Sequence, residues 1–180
     1  MKDFMEQFSP ENILGSKGSE WTIDKRKKAR DINAEANPIY RNIHKLPNNF
    51  IEYLKAYESI HNSADTAWFL MLEDYCGESD SAFAWNEFQI QSLDSALDEA
   101  DKEKIRNFWN YKLPFFMSVK SGYAYAALDL SESSFGAVVI GQEPEYELVE
   151  KIADSFDDFL LMLKAHISGT GEFEFLDILL

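Results

Sequence analysis

Three short segments rich in aromatic and β-branched residues, 115–119, 123–130 and 135–140, follow one another with almost no chain between them. The breaks are Ser121-Gly122 and the run Ser131 to Ser134. Parallel neighbours need a long crossover, so strands this close can pair only as antiparallel neighbours. The centre of the fold is therefore predicted to be an antiparallel sheet. In the middle segment Tyr123, Tyr125, Ala127 and Asp129 fall on one face and Ala124, Ala126, Leu128 and Leu130 on the other. The small alanines predict a helix packed close against their side.

That helix is expected after Ser155, where Phe156, Phe159, Leu160, Leu163 and Ile167 form a continuous apolar stripe and Ser155 with Asp158 resembles a capping box. It should stop near Ser168-Gly169. A second helix, about 48 to 60, follows Leu46-Pro47 and carries Phe50, Ile51, Leu54 and Tyr57 at three-to-four spacing. From Ser92 to Trp109, Leu93, Leu97, Ala100, Ile105 and Phe108 mark an amphipathic, largely exposed helix. Trp68 to Leu72 reads as a buried strand, Glu73 to Ser81 as a loop containing Gly77, and Phe83 to Trp85 as a resumption of the sheet. The tail alternates Glu172, Phe173, Glu174 and Phe175 before turning apolar, which fits an edge strand or a contact with another molecule.

These elements amount to an α+β domain over residues 46–180, with a central, mostly antiparallel sheet and flanking helices. Residues 1–45 read as a loosely attached, partly ordered extension with Gly15, Ser16, Gly18 and Ser19 ahead of the basic run Lys25, Arg26, Lys27, Lys28 and Arg30. Phe4, Met5 and Phe8 suit a short helix there, and Trp21 and Ile23 suit a segment pinned to the core. The basic run is expected to serve as a solvated face or as counter-charge to the body.

The body needs such a counter-charge. Residues 1–50 hold nine Lys and Arg against seven Asp and Glu, whereas residues 51–180 hold eight against 25. A field of that sign repels nucleic-acid phosphate and anionic lipid and speeds encounter with basic proteins. Direct nucleic-acid or membrane binding is disfavoured, and a basic protein partner is favoured. Acidity that merely keeps a chain soluble is the competing reading. No apolar run approaches the roughly 20 residues that span a bilayer, and the N-terminus is acidic where a secretory signal would be basic, so a cytoplasmic address is expected.

Catalytic chemistry has little support in the residue pattern. His44, His61 and His166 lie in separate segments without metal-ligand spacing, and Cys76 is the sole cysteine, so no metal or other cofactor is expected. Ser168-Gly169-Thr170-Gly171 leaves a helix rather than opening one and lacks a following lysine, which makes it a helix stop rather than a phosphate loop. Nucleophile-elbow, dinucleotide and kinase signatures do not occur. Close carboxylate pairs such as Glu73-Asp74 and Asp157-Asp158 are expected by chance among 32 acids. A pocket lined by Tyr123, Tyr125 and Asp129 would favour a small-ligand protein instead.

Four features in order resemble one family. They are Leu46-Pro47 opening a helix, Leu113-Pro114-Phe115-Phe116, the run Gly122-Tyr123 through Leu128-Asp129-Leu130 with Gly136-Ala137-Val138-Val139, and Ser155-Phe156-Asp157-Asp158-Phe159-Leu160. Together, over about residues 46 to 167, they resemble the SUKH superfamily, the group related to fungal cell-wall synthesis regulators. That family usually has an Asn-Gly-Gly-like turn after the first helix. Here Tyr57 to Asn62 stands in its place, the mark of a divergent member. The resemblance implies a non-catalytic protein-binding domain, in many bacterial members an immunity protein that neutralises a toxin, often a nuclease. A regulatory scaffold for a cellular protein is the alternative it implies. An acidic immunity protein would cover the basic surface with which a nuclease grips phosphate. The candidate contacts lie where acids cluster at loops: Glu73, Asp74, Glu78 and Asp80, and separately Glu143, Glu145 and Glu147. Ordinary solvated loop charge is the competing reading for each.

Overall fold

In the computed structural model, residues 9–15, 20–28, 46–81 and 83–180 are described. Seven strands form one sheet in chain order: β1 (Trp21–Lys25), β2 (Tyr57–Asn62), β3 (Ala67–Phe69), β4 (Lys112–Ser118), β5 (Ala124–Asp129), β6 (Val138–Gln142) and β7 (Glu150–Ala153). Every neighbouring pair is antiparallel. The three strands expected from the short breaks are β4, β5 and β6, and the class is α+β. Helices are α1 (Pro10–Leu14), α2 (Asn48–Ala56), α3 (Leu72–Cys76), α4 (Glu87–Ser95), α5 (Glu99–Trp109), α6 (Phe156–Ile167) and α7 (Glu174–Leu179).

One sheet face is set by the register that places Ile60 opposite Phe69, Phe69 opposite Phe116 and Phe116 opposite Ala126. Directly opposed residues share a face, so this row is one apolar surface. Helices α2 and α6 cover it. A bulge between Pro114 and Phe116 turns the consecutive rings of Phe115 and Phe116 to the same side, where both meet Phe159 of α6. Phe50 and Phe156 meet edge to face at 5.1 Å between the two helices. Each fully buried phenylalanine in this cluster contributes roughly 1.5–3 kcal/mol. The Ser155 hydroxyl accepts the Asp158 N–H at 3.1 Å, so the cap expected for α6 is present.

The opposite face carries Trp68, Met117, Tyr125 and Gly141 in register across β3 to β6. It is covered by the long β3–β4 connection, which bears α3, α4 and α5. The Tyr75 hydroxyl of α3 donates to the Pro114 carbonyl at 2.6 Å. Phe88 of α4 stacks on Tyr125 at 5.3 Å, and Trp109 of α5 lies 5.2 Å from the same ring. A Cβ on Gly141 would fall 2.5 Å from the Tyr125 ring, so β6 needs a glycine where that ring crosses it.

Several boundaries differ from the sequence expectation. The helix begun at Asn48 stops at Ala56, and Tyr57 to Asn62 run on as β2 between β1 and β3. The helical spacing of Phe50, Ile51, Leu54 and Tyr57 outlasts the helix because Tyr57 is buried from the strand instead. Leu72 opens α3 rather than closing a strand, and Phe83 to Trp85 lie outside the sheet. The helix expected from Ser92 to Trp109 is two helices, broken at residues 96–98, where the Asp98 carboxylate accepts the Asp101 N–H and starts α5. The tail is a helix that buries Leu176 and Leu179, not an edge strand. Trp21 and Ile23 pack against the core from β1. The short helix expected around Phe4, Met5 and Phe8, like Arg30 and His44, lies outside the described residues.

Candidate functional site

Six of the seven acids singled out in the sequence line two hollows, and the chain treats the two sets differently. The first hollow, about 580 Å³, opens between β2, β3 and α3 with Trp68 and Phe83 in its wall. Glu73, Asp74 and Asp80 line it, while Glu78 does not. Glu73 is held by a bidentate ion pair with Arg26, at 2.5 and 2.6 Å, and the Arg26 side chain is only 7% exposed. Arg26 also donates through Nε to the Leu54 carbonyl at 3.3 Å. Part of the basic run is thus spent inside the fold as counter-charge. Asp74 Oδ2 accepts the Met71 N–H at 2.6 Å and so holds the first turn of α3. Burial pushes its carboxyl above the usual range, against the pull of the Met71 N–H and of Ser79. Glu78 follows the helix end, exposed, with its backbone N–H on the Glu73 carbonyl at 2.8 Å. Asp80 is exposed on the rim, and Trp68 Nε1 is buried with no hydrogen-bond partner among the described residues.

The second hollow is a wider groove of about 1380 Å³ between the α4–α5 break, α5 and the β6–β7 connection. Glu143, Glu145 and Glu147 all line it. Its β6–β7 wall is pinned from beneath at three points. Tyr125 donates its hydroxyl to the Tyr146 carbonyl at 2.6 Å, Tyr146 donates to Gln91 Oε1 at 3.0 Å, and Trp109 Nε1 donates to Glu147 Oε1 at 2.6 Å. Burial, reinforced by Glu143, Tyr123, Glu147 and Glu87, pushes the Tyr146 phenol up to about 12. Glu147 is therefore partly structural. Glu143 and Glu145 are exposed and make no ion pair among the described residues. Two leucines stand out of the same groove: Leu97 is 92% exposed and Leu148 74%.

Neither leucine is marked as a contact residue by the sequence, and Leu97 is instead placed on a helix stripe. Leu97 falls on the apolar stripe of a single long helix, and only recognising Asp98 as a helix start would have moved it to the break. Leu148 is an isolated apolar residue in a Glu- and Pro-rich connection, a pattern that belongs to a turn rather than a core.

The sequence profile of the SMI1 / KNR4 family (SUKH-1) matches residues 42–162, two thirds of the chain. The chain belongs to that family. Comparison with curated proteins finds no match, and neither does comparison with solved structures. In this SUKH-1 chain the matched span runs from just before α2 to the second half of α6, so it contains the acids of both hollows but neither β1 nor Arg26. Membership supports a non-catalytic SUKH-domain protein that acts by binding another protein.

Among the described residues, no cluster of His, Cys, Asp and Glu is arranged to hold a metal ion, and no helix is long and apolar enough to cross a membrane. His61 lies on β2 and His166 in the last turn of α6, 3.5 Å from Asp177. Cys76 is half-buried at the end of α3. Tyr125 is buried under Phe88 and Trp109, and Asp129 pairs with Lys112 at 3.3 Å while capping the turn through the Ser131 N–H. Tyr123, Tyr125 and Asp129 line neither hollow.

Proposed function

We propose that this chain is an immunity-type protein that acts in the cytoplasm and neutralises a basic toxin domain, such as a nuclease, by occupying its substrate-binding face. The observation that carries the reading is the acid excess of residues 51–180, eight Lys and Arg against 25 Asp and Glu, within a SUKH-1 domain. A toxin that grips phosphate needs a positive surface, and an acidic partner competes for that surface without turnover. Blocking is steric and electrostatic. Long-range attraction between exposed charges is screened beyond about 8 Å at physiological ionic strength, so association with the toxin should slow markedly as salt rises.

The test is co-expression with each toxin domain encoded beside the gene, followed by growth measurement and co-purification. Rescue of growth together with a stable complex supports the reading. Failure of both, across every neighbouring toxin, removes it. A salt-insensitive association rate would remove the electrostatic part alone.

A further inference from the structure

We propose that the groove between the α4–α5 break and the β6–β7 connection is the docking face, and that it takes a basic amphipathic helix of the partner protein. The inference rests on the protein-binding reading above and names the place and the chemistry. Leu97 and Leu148, the two most exposed large apolar side chains among the described residues, rise from this one groove. An exposed leucine is common, but two at 92% and 74% on one hollow form an apolar grip. Beside them Glu143 and Glu145 are exposed and without an ion pair among the described residues. An amphipathic helix presents an apolar stripe flanked by charges at fixed spacing, which meets both features together.

Size and charge select this occupant. At about 1380 Å³ and open to solvent, the groove exceeds the range of small-molecule pockets, roughly 300–1,000 Å³. A second copy docked groove to groove would bring Glu143, Glu145 and Glu147 against the same acids, with Lys104 as the only cation lining the groove among the described residues, itself paired with Asp101 at 2.9 Å. Like charges at an interface oppose it, so the complement is cationic. The wall is also preorganised. The hydrogen bonds from Tyr125, Tyr146 and Trp109 fix residues 146 and 147 before any partner arrives, which lowers the ordering cost of binding.

The experiment uses the full chain, a labelled amphipathic Leu/Lys peptide of helical spacing, and a scrambled peptide of equal charge with no apolar stripe. Fluorescence anisotropy measures affinity, amide chemical shifts map the site, and sedimentation equilibrium reads self-association. The patterned peptide should bind more tightly than the scrambled one and shift residues of the α4–α5 break and the β6–β7 connection. L97S with L148S should weaken it by about tenfold or more. E143Q with E145Q should weaken it and flatten its salt dependence. Equal binding of both peptides, shifts centred elsewhere, or a dimer that L97S and L148S dissolve would overturn the proposal. The same variants then go into the toxin assay. Protection that survives L97S and L148S sinks the groove but leaves the immunity reading standing, whereas groove binding without protection by any form of the chain does the reverse.

Discussion

At the hollow beside α3, Glu73 is clamped by Arg26 and Asp74 caps a helix, whereas at the β6–β7 groove Glu143 and Glu145 reach solvent with no ion pair among the described residues. Both sets look alike in sequence, as short acidic clusters at chain reversals. The difference lies in what each carboxylate does for the fold. A net charge counts consumed and available acids together, and only the latter can draw a partner. The two regions also differ in exposed apolar surface, since Leu97 and Leu148 both belong to the groove.

The contrast breaks first at Arg26. Arg26→Ala removes the bidentate guanidinium from the Glu73 carboxylate, itself only 21% exposed, and should cost about 2–4 kcal/mol in urea unfolding, because removing one member of a largely buried ion pair is expensive. A loss below about 0.5 kcal/mol, the size expected of an ordinary surface change, would put Glu73 in the same category as Glu143.

Next comes the support beneath the groove. Tyr125→Phe keeps the ring between Phe88 and Trp109 but strands the Tyr146 carbonyl, at an expected cost of about 1–2 kcal/mol. Faster amide exchange across residues 143–148 should accompany it, and unchanged exchange there would show that the wall holds itself.

A smaller effect is expected at alkaline pH. The folded chain keeps the Tyr146 proton up to about 12, against an ordinary value near 10, so it holds that proton longer than the unfolded chain does. The Tyr146 contribution is complete below about 10 and drains away as pH climbs toward 12. Circular-dichroism melts across that window should show Tyr146→Phe losing less stability than the parent. Identical slopes would detach Tyr146 from the transition.

The smallest change is the informative one. Glu143→Gln with Glu145→Gln should alter stability by less than about 0.5 kcal/mol, since both are exposed, neither makes an ion pair among the described residues and the amide keeps the carboxylate's shape. A larger loss in the same urea titration would mean that the groove acids, too, are structural.

How much of this was legible depended on the range of the cause. The antiparallel core could be read because Ser121-Gly122 and Ser131 to Ser134 leave no room for a crossover, and α6 because Ser155 and its apolar stripe are local signals. The acids could be named but not sorted. Glu73 is claimed by an arginine 47 positions away and Glu147 by a tryptophan 38 away, and no nearby residue marks either pairing. Leu97 was misplaced for a different reason. Its spacing suits a continuous helix, and a cap at Asp98 overrides that spacing and turns the leucine outward.

One further feature bears on how the matched domain can be handled. β1 lies outside residues 42–162, yet it pairs along β2 from Trp21 opposite Asn62 to Lys25 opposite Tyr57. A chain trimmed to the matched span would bare the backbone donors and acceptors of β2, a ready template for adding strands from other molecules. The far edge, β7, carries Glu150 and Lys151, and β1 itself carries Asp24 and Lys25, charges that discourage such addition. Strand β1 therefore covers an edge that would otherwise be open to pairing and puts a charged strand in its place.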